Sequence, residues 1–557
     1  MTDNTIDPKK ESGCPNYKKQ IYQIEIMPGN KVIEATDGEN LYHLLRRYGL
    51  PVGGRSVTSI DYAKCLVRLE KGVLSTSENE EVEASMIERS KSVEGWVLAC
   101  FRSIIGNATI YLPVLEELKT KFKLNKQLNV VCRPLVSGEF GVAVDVGTTS
   151  IAAGLVDLSN GQILSLESGQ NNQVAYGKDV VSRIEYCRDH KDGTKLLQET
   201  VWQDIENLIH RLTHHCGRRT EDIKGIVLVA NTPMSHILWG VDPSELIAAP
   251  YRPKFTNSQV KTSDKFPVQS LKAKVFLLPN ISAMIGSDTV AAILATGIIE
   301  KKDDKKLTFL IDLGTNSELV LSGGGHLLTA STGSGSAFEG INISCGTRAV
   351  AGAINKVLIE DDVIIETIDG GLPIGICGAG LISAVARFIR IGLLDRDGRL
   401  FLPQDVSEAI QKRFQHTMDG IRFVLHFGKT AEEDIFISQK DIHQLQLAKG
   451  SIFATAQMLL KESGAKNTDI QQIQLAGAFA SHINFQDALT IGLLPSLPVS
   501  KIISAGNAAW QGACLTLSNE ALWHEATLLT KDIEYHDYAS KIEFADLFMN
   551  AMNFSVK

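Results

Sequence analysis

One short motif occurs twice in this chain, and its duplication limits the fold more than any other feature. The first copy is Asp145-Val146-Gly147-Thr148-Thr149, set between the apolar runs Phe140–Val144 and Ile151–Val156. The second is Asp312-Leu313-Gly314-Thr315-Asn316, set between Phe309–Ile311 and Leu319–Leu321. An apolar run, a polar turn containing Gly and a second apolar run predict a β-hairpin. Backbone N–H groups of such a turn can face a phosphate, and Gly leaves room for its oxygens. An Asp at the end of the first strand is placed to hold Mg²⁺ through its waters. A single copy reads equally well as an ordinary strand end. Two copies imply a repeated unit, with two turns that face each other and clamp a nucleoside triphosphate from both sides.

The length of 557 residues allows three or so domain-sized units. With 44% hydrophobic and 22% charged residues the composition is that of an ordinary globular protein. A net charge of −8 and an isoelectric point near 6.0, with no basic stripe, argue against a nucleic-acid partner. No apolar segment approaches a membrane span, and the polar N-terminus lacks a signal-peptide core, so no membrane association is expected. The nine cysteines show neither a C-x-x-C pair nor the density of a disulfide scaffold. A reduced, cytoplasmic compartment is expected.

Residues 1–20 are polar and read as a disordered tail. From Tyr22 the pattern changes: Tyr22, Ile24 and Ile26 alternate with polar residues, and Val32-Ile33 begins a second strand. Asp37 is expected to cap a helix with Leu41, Leu44, Leu45 and Tyr48 on its apolar face. Two strands and a helix open a β-grasp domain, assigned to residues 21–113 with Ala108–Leu112 as its last strand. Residues 114–138 read as a connector. From 139 to 557 strands and helices alternate, the pattern of an α/β architecture, with the second phosphate hairpin at 307–325. Within it, Ile226–Ala230 and Val275–Leu278 read as buried strands, and a helix runs through Asp288 and Ala295. Ser438 and Asp441 form a capping box before a long helix, and Ile473–Ala476 is a late strand ending in a Gly turn.

The paired hairpins, the Gly-rich stretch Gly375–Gly380 and the late strand and turn Leu475–Phe479 together resemble the superfamily of acetate kinases, sugar kinases, heat-shock ATPases and actin. Several further strings are similar to one branch of it, the ATP-dependent reductive activators of corrinoid proteins. They are Val229–His236, Ala248–Pro253, Leu278–Asn280, Ala337–Gly340, Gln446–Lys449 and the two stretches already named. The resemblance covers roughly residues 20–557 and is densest in the ATPase region. It implies an actin-like fold of two lobes, ATP and Mg²⁺ in the cleft between them, and a corrinoid protein of a methyl-transfer system as partner. Relatives imply a homodimer.

The N-terminal domain departs from that pattern. In the family it is a plant-type ferredoxin whose motif Cys-Gly-Gly-x-x-x-Cys-x-x-Cys, with one distant Cys, holds a two-iron cluster. This chain has Val52-Gly53-Gly54-Arg55 at the start of the motif and Tyr62 at the third ligand position. Cys65 and Cys100 remain as remnants. Two thiolates cannot supply four ligands, so no 2Fe–2S cluster is expected, and a separate ferredoxin becomes a candidate electron donor.

The residues assigned to chemistry follow from the motifs and the resemblance. Asp145 and Asp312 are expected to hold Mg²⁺ and orient the attacking water, with Glu318 as a further catalytic candidate. Gly147, Thr148, Thr149, Gly314, Thr315 and Asn316 are expected to bind phosphates. Gly333 and Gly335 are candidates to close over them, Gly378 and Gly380 belong to the Gly-rich connection, and Gly477 and Ala478 approach the adenosine. His236, Cys345 and Cys377 read as structural. The reading is an ATP-hydrolysing activator that reduces or remodels a corrinoid protein. A small-molecule kinase of the same superfamily and a non-redox regulatory or chaperone ATPase stand as alternatives.

Overall fold

The protein is described by a computed structural model that covers residues 20–27, 31–48, 66–77, 80, 83–84, 95–112, 132–268, 270–418, 420–430, 433–477 and 480–554. The chain divides into two compact units, residues 1–119 and 120–557.

In the smaller unit, alternating apolar residues fold Ile21–Met27 and Lys31–Thr36 into an antiparallel hairpin. Ile21–Met27 also pairs in parallel with Ile104–Tyr111, which runs antiparallel to Leu66–Leu74; Trp96–Leu98 completes a five-stranded sheet. Ile24, Ile26, Ile33 and Ile110 are buried on one face with Leu41, Leu44 and Leu45 of the helix Leu41–Arg47. The unit thus joins an antiparallel hairpin, a helix and a central parallel pair in one sheet. The cap differs from expectation. Asn40, not Asp37, receives the first helical N–H groups, from Tyr42 at 3.1 Å and His43 at 3.3 Å. Gly38, at φ +76°, turns the chain after Asp37 and delays the helix. Cys100 is half-buried in a short turn, Ala99–Phe101. Cys65 and the stretch from Val52 to Tyr62 lie outside the described residues.

The larger unit repeats one plan twice. Its first sheet has the strand order Gln259–Thr262, Lys274–Leu277, Ile223–Ala230, Phe140–Val146, Ser150–Asp157, Gln162–Gln170. The middle three strands before the hairpin are parallel, and the last three form an antiparallel meander. The second sheet repeats this with Ile502–Gly506, Ile470–Ala476, Leu307–Asp312, Asn316–Gly323 and His326–Gly333, edged by Glu534–Tyr535. Parallel strands need covered faces, which is why Val142, Val144, Ile226 and Leu228 face a helix layer including Gly193–His215. The second sheet packs likewise on Gln439–Glu462, which starts at the predicted capping box of Ser438 and Asp441.

Between the sheets lie two helices, Ser287–Thr296 and Ala508–Ser518, sharing one core with Ala143, Val227, Leu310 and Val320. They cross in near backbone contact: a Cβ on Gly512 would stand 2.0 Å from the Ala291 carbonyl oxygen. This is the duplicated, two-lobed actin-like α/β architecture that the resemblance implied. Among the described residues no helix is long and apolar enough to cross a membrane.

Candidate functional site

Both repeated motifs form the hairpins expected of them, and both turns need their glycine. A Cβ at Gly147 would lie 2.7 Å from the Ser150 carbonyl oxygen, and one at Gly314 would lie 2.9 Å from that of Asn316. The first turn is held from behind. Asn171 donates to the Gly147 carbonyl at 2.9 Å and its backbone N–H to Thr149 at 3.0 Å. Asn231, the N-cap of the helix Thr232–Leu238, donates to the Thr148 hydroxyl at 3.1 Å. The buried Arg183 guanidinium donates to the Thr148 carbonyl at 2.6 Å, and desolvation draws its pKa down to about 10. The second turn is held by Ser334, whose hydroxyl donates to the Gly314 carbonyl at 2.8 Å. Gly333 pairs in register with Asn316.

The two turns converge on one side chain. Thr149 donates its hydroxyl to Glu339 Oε2 at 2.8 Å, and Thr315 donates to Oε1 at 2.6 Å. Glu339 belongs to Ala337-Phe338-Glu339-Gly340, a string used above for the resemblance but given no role there.

Below the turns stand four carboxylates. Asp145 and Asp312 end the first strands of the two hairpins, Glu318 sits opposite Asp312 in register, and Asp288 lies in the first turn of an interlobe helix. Each keeps a sliver of accessible surface, yet protein encloses them on most sides. Burial is the largest cause raising the pKa of Asp145 and of Asp312 to about 7 and of Asp288 to about 6, and it pushes Glu318 well up. Mutual repulsion adds to this: Asp288 acts on Asp145, Asp312 and Glu318, and Asp145 acts on Asp312. Asn507 works the other way on Asp145, donating to Oδ2 at 2.9 Å from the N-cap of the second interlobe helix. Gly477 touches the group too. At φ +98° it brings its backbone so close that a Cβ would lie 2.8 Å from Asp312 Oδ1. Among the described residues no three His, Cys, Asp or Glu side chains converge to ligate an ion directly. Carboxylate oxygens are the donor type that hard divalent cations take.

Gly378 and Gly380 open the helix Gly378–Arg390, where a Cβ on Gly380 would meet the Ile354 carbonyl oxygen at 2.1 Å, so close packing itself calls for glycine there. Gly335, at φ +69°, is exposed, and Ala478 lies outside the described residues. His236 is buried and structural: its Nδ1 bonds the Thr232 carbonyl at 2.8 Å, and Nε2 accepts from the Lys254 N–H at 3.0 Å. Cys345 and Cys377 are thiols with pKa raised by burial, as a structural role requires. Asp288, Asn507 and Glu339 were not singled out from the sequence for this site. A Gly followed by a polar helix start, at Gly286–Asp288 and Gly506–Asn507, was the available signal for the first two.

Residues 140–301 match the family described as the RACo middle region, and residues 306–557 match the C-terminal domain of RACo, its ASKHA domain. A curated relative, the corrinoid activation enzyme RamQ of Eubacterium limosum, is 31% identical over 418 residues, covering 74% of this chain and 69% of that protein. The chain belongs to the RACo family. A second relative, the [Co(II) methylated amine-specific corrinoid protein] reductase of Methanosarcina barkeri, is 24% identical over 423 residues, covering 70% of this chain and 71% of that one. Among solved structures, the reductive activator for corrinoid, iron-sulfur protein superposes with a TM-score of 0.70 at 26% identity, covering 96% of this RACo-family chain and 98% of that one.

Proposed function

We propose that this RACo-family chain is an ATP-hydrolysing activator of a corrinoid protein, and that it works without an iron–sulfur cluster of its own. The observation that carries the nucleotide part is the meeting at one carboxylate of the two duplicated turns, which follow Asp145 and Asp312 in the chain. The corrinoid part is supported by relatives whose names specify corrinoid activation and reduction of a corrinoid protein.

In this reading the N–H groups of Gly147, Thr148, Thr149, Gly314, Thr315 and Asn316 and their hydroxyl and amide side chains receive the phosphates. Asp145 and Asp312 hold the waters around Mg²⁺, which when bound supplies charge neutralisation for the phosphates. Glu318 and Asp288 orient a water and accept a proton, a task suited to carboxyls whose basicity burial raises. The N-termini of both interlobe helices point their positive ends at the same place. ATP binding and hydrolysis then change how the lobes meet, and the protein partner reads that change. The electron, where one is delivered, comes from a separate ferredoxin.

The direct test is phosphate release from ATP and Mg²⁺, with and without a cob(II)alamin-loaded corrinoid protein, followed by the cobalt spectrum after addition of a reduced ferredoxin. Turnover that depends on the corrinoid protein supports the reading; turnover that requires a small metabolite instead identifies a kinase. Iron and acid-labile sulfide on anaerobically reconstituted protein test the second half, and two iron atoms per chain would overturn it.

A further inference from the structure

We infer that Glu339 is a built-in competitor for the phosphate site: its carboxylate holds the hydroxyls of Thr149 and Thr315, and the terminal phosphate of a nucleotide has to displace it. The inference rests on the reading that the two turns bind a nucleotide.

The argument is one of proton count. A threonine hydroxyl has a single proton to donate. Both hydroxyls spend theirs on Glu339, at 2.8 and 2.6 Å, one on each carboxylate oxygen. An ionised phosphate is an acceptor only, so it takes either proton only if Glu339 gives it up. Two anions brought to one pair of donors also repel each other. The carboxylate stands across the turns in the place and with the hydrogen-bond character of a phosphate, and it ties the first sheet's turn to the second.

The backbone around Glu339 explains how it can let go without unfolding anything. On its N-terminal side Ala337 and Phe338 are buried in the second lobe's core. On its C-terminal side the Ser344 N–H is fixed to Asp441 Oδ1 at 2.7 Å, at the capping box of the long helix. Between these anchors the chain reverses at Gly340, φ +73°, where a Cβ would lie 2.2 Å from the Thr347 carbonyl oxygen. Ile343 is again buried in that core, so release of Glu339 loosens only the short stretch 339–342, which leads to Ser344 and the start of that long helix. Phosphate arrival at the turns is in this way converted into a backbone signal inside the second lobe.

The test measures binding of a β,γ-imido ATP analogue with Mg²⁺ by calorimetry for the wild type, Glu339→Ala and the size-preserving Glu339→Gln, with AMP as a ligand that lacks the terminal phosphates. Two competing hydrogen bonds removed predict about tenfold tighter analogue binding for Glu339→Ala, a smaller gain for Glu339→Gln and no change for AMP. Hydrogen exchange across 339–342 in the wild type is expected to rise when the analogue binds. Equal or weaker analogue binding by both variants overturns the competition, as does an equal gain for AMP. If the wild type fails to bind and Glu339→Ala binds, the competitor is confirmed in its strongest form. If none of the three proteins binds the analogue, the nucleotide reading itself falls, and this inference with it.

Discussion

Asn507 donates its side-chain amide to Asp145 Oδ2 at 2.9 Å, joining residues 362 positions apart in the chain. The same side chain caps its own helix, accepting the Trp510 N–H at 2.9 Å. One asparagine thus fixes both the helix that separates the lobes and the carboxylate that ends the first motif strand. Asn507→Ala is expected to cost about 1 kcal/mol from the lost cap. It also removes the one contact that lowers the Asp145 pKa, so the acidic limb of the ATP hydrolysis profile should move to higher pH. A lower Tm with an unmoved profile would show that Asn507 acts through the helix alone.

The Asp145 and Asp312 carboxyls have folded-state pKa values raised from 3.8 to about 7. Between those values the folded chain keeps protons that the unfolded chain has lost. Their contribution to stability is full below about pH 4 and is lost as the pH rises through about 7. In buffer stripped of divalent cations, Asp312→Asn should be more stable than the wild type at pH 8 by about 1–2 kcal/mol, after allowing for water at the carboxylate tips. The gap should narrow to about a third of that at pH 5 and close near pH 4. Denaturation curves at these pH values decide it, and parallel curves would mean that the carboxylates are well hydrated.

Replacement of either strand-end carboxylate by alanine should lower ATP turnover about a hundredfold or more, since both are assigned to hold the cation that neutralises the phosphates. Circular dichroism would check that the fold persists. Turnover at wild-type levels in Asp145→Ala or Asp312→Ala would remove the hairpins from the chemistry.

Lys449 is buried, and among the described residues no carboxylate pairs with it. Its Nζ donates to the carbonyls of Ala551 at 2.5 Å and Asn553 at 2.8 Å and lies 4.7 Å from the Phe554 ring centroid, while Gln446 Nε2 donates to the Met552 carbonyl at 3.1 Å. The string Gln446–Lys449 therefore caps the C-terminal helix Ile542–Met552 from outside. Burial pulls the lysine from 10.5 down to about 7, so the unfolded chain holds a proton that the folded chain lacks between those values. This site costs most below about pH 7 and least above about 10.5, and stability rises with pH across that window. Lys449→Met leaves two carbonyls bare, at about 2 kcal/mol. Hydrogen exchange should rise across 542–554, and unchanged exchange there would show that the helix holds without the cap.

The crossing of the interlobe helices makes a sharper demand. Gly512→Val places side-chain atoms where the Ala291 backbone already lies, and is expected to cost about 3 kcal/mol or to prevent folding. Soluble protein with a wild-type Tm would mean that the helices part easily.

Much of this molecule was legible before its structure. The two hairpins were readable because period-two apolar runs, a Gly and a strand-end Asp are local signals. So was the capping box of Ser438 and Asp441. What escaped depends on chain segments that meet only in three dimensions. Asp288 looks like any acidic residue in a first helical turn until the second sheet closes above it. Glu339 looks like a loop carboxylate until Thr149 and Thr315 arrive from different sheets. The misplaced cap at Asp37 was a local error, since a Gly at positive φ delayed the helix by a few residues.

The repeated hairpins also differ at one matched place. Asp312 faces Glu318 across its hairpin, whereas Asp145 faces Ala152. The backbone is close to a two-fold repeat, but its charge is not: one jaw carries an extra acid and the other a methyl group. A guest with unlike ends meets unlike jaws, so the site sorts orientation before any bond is broken.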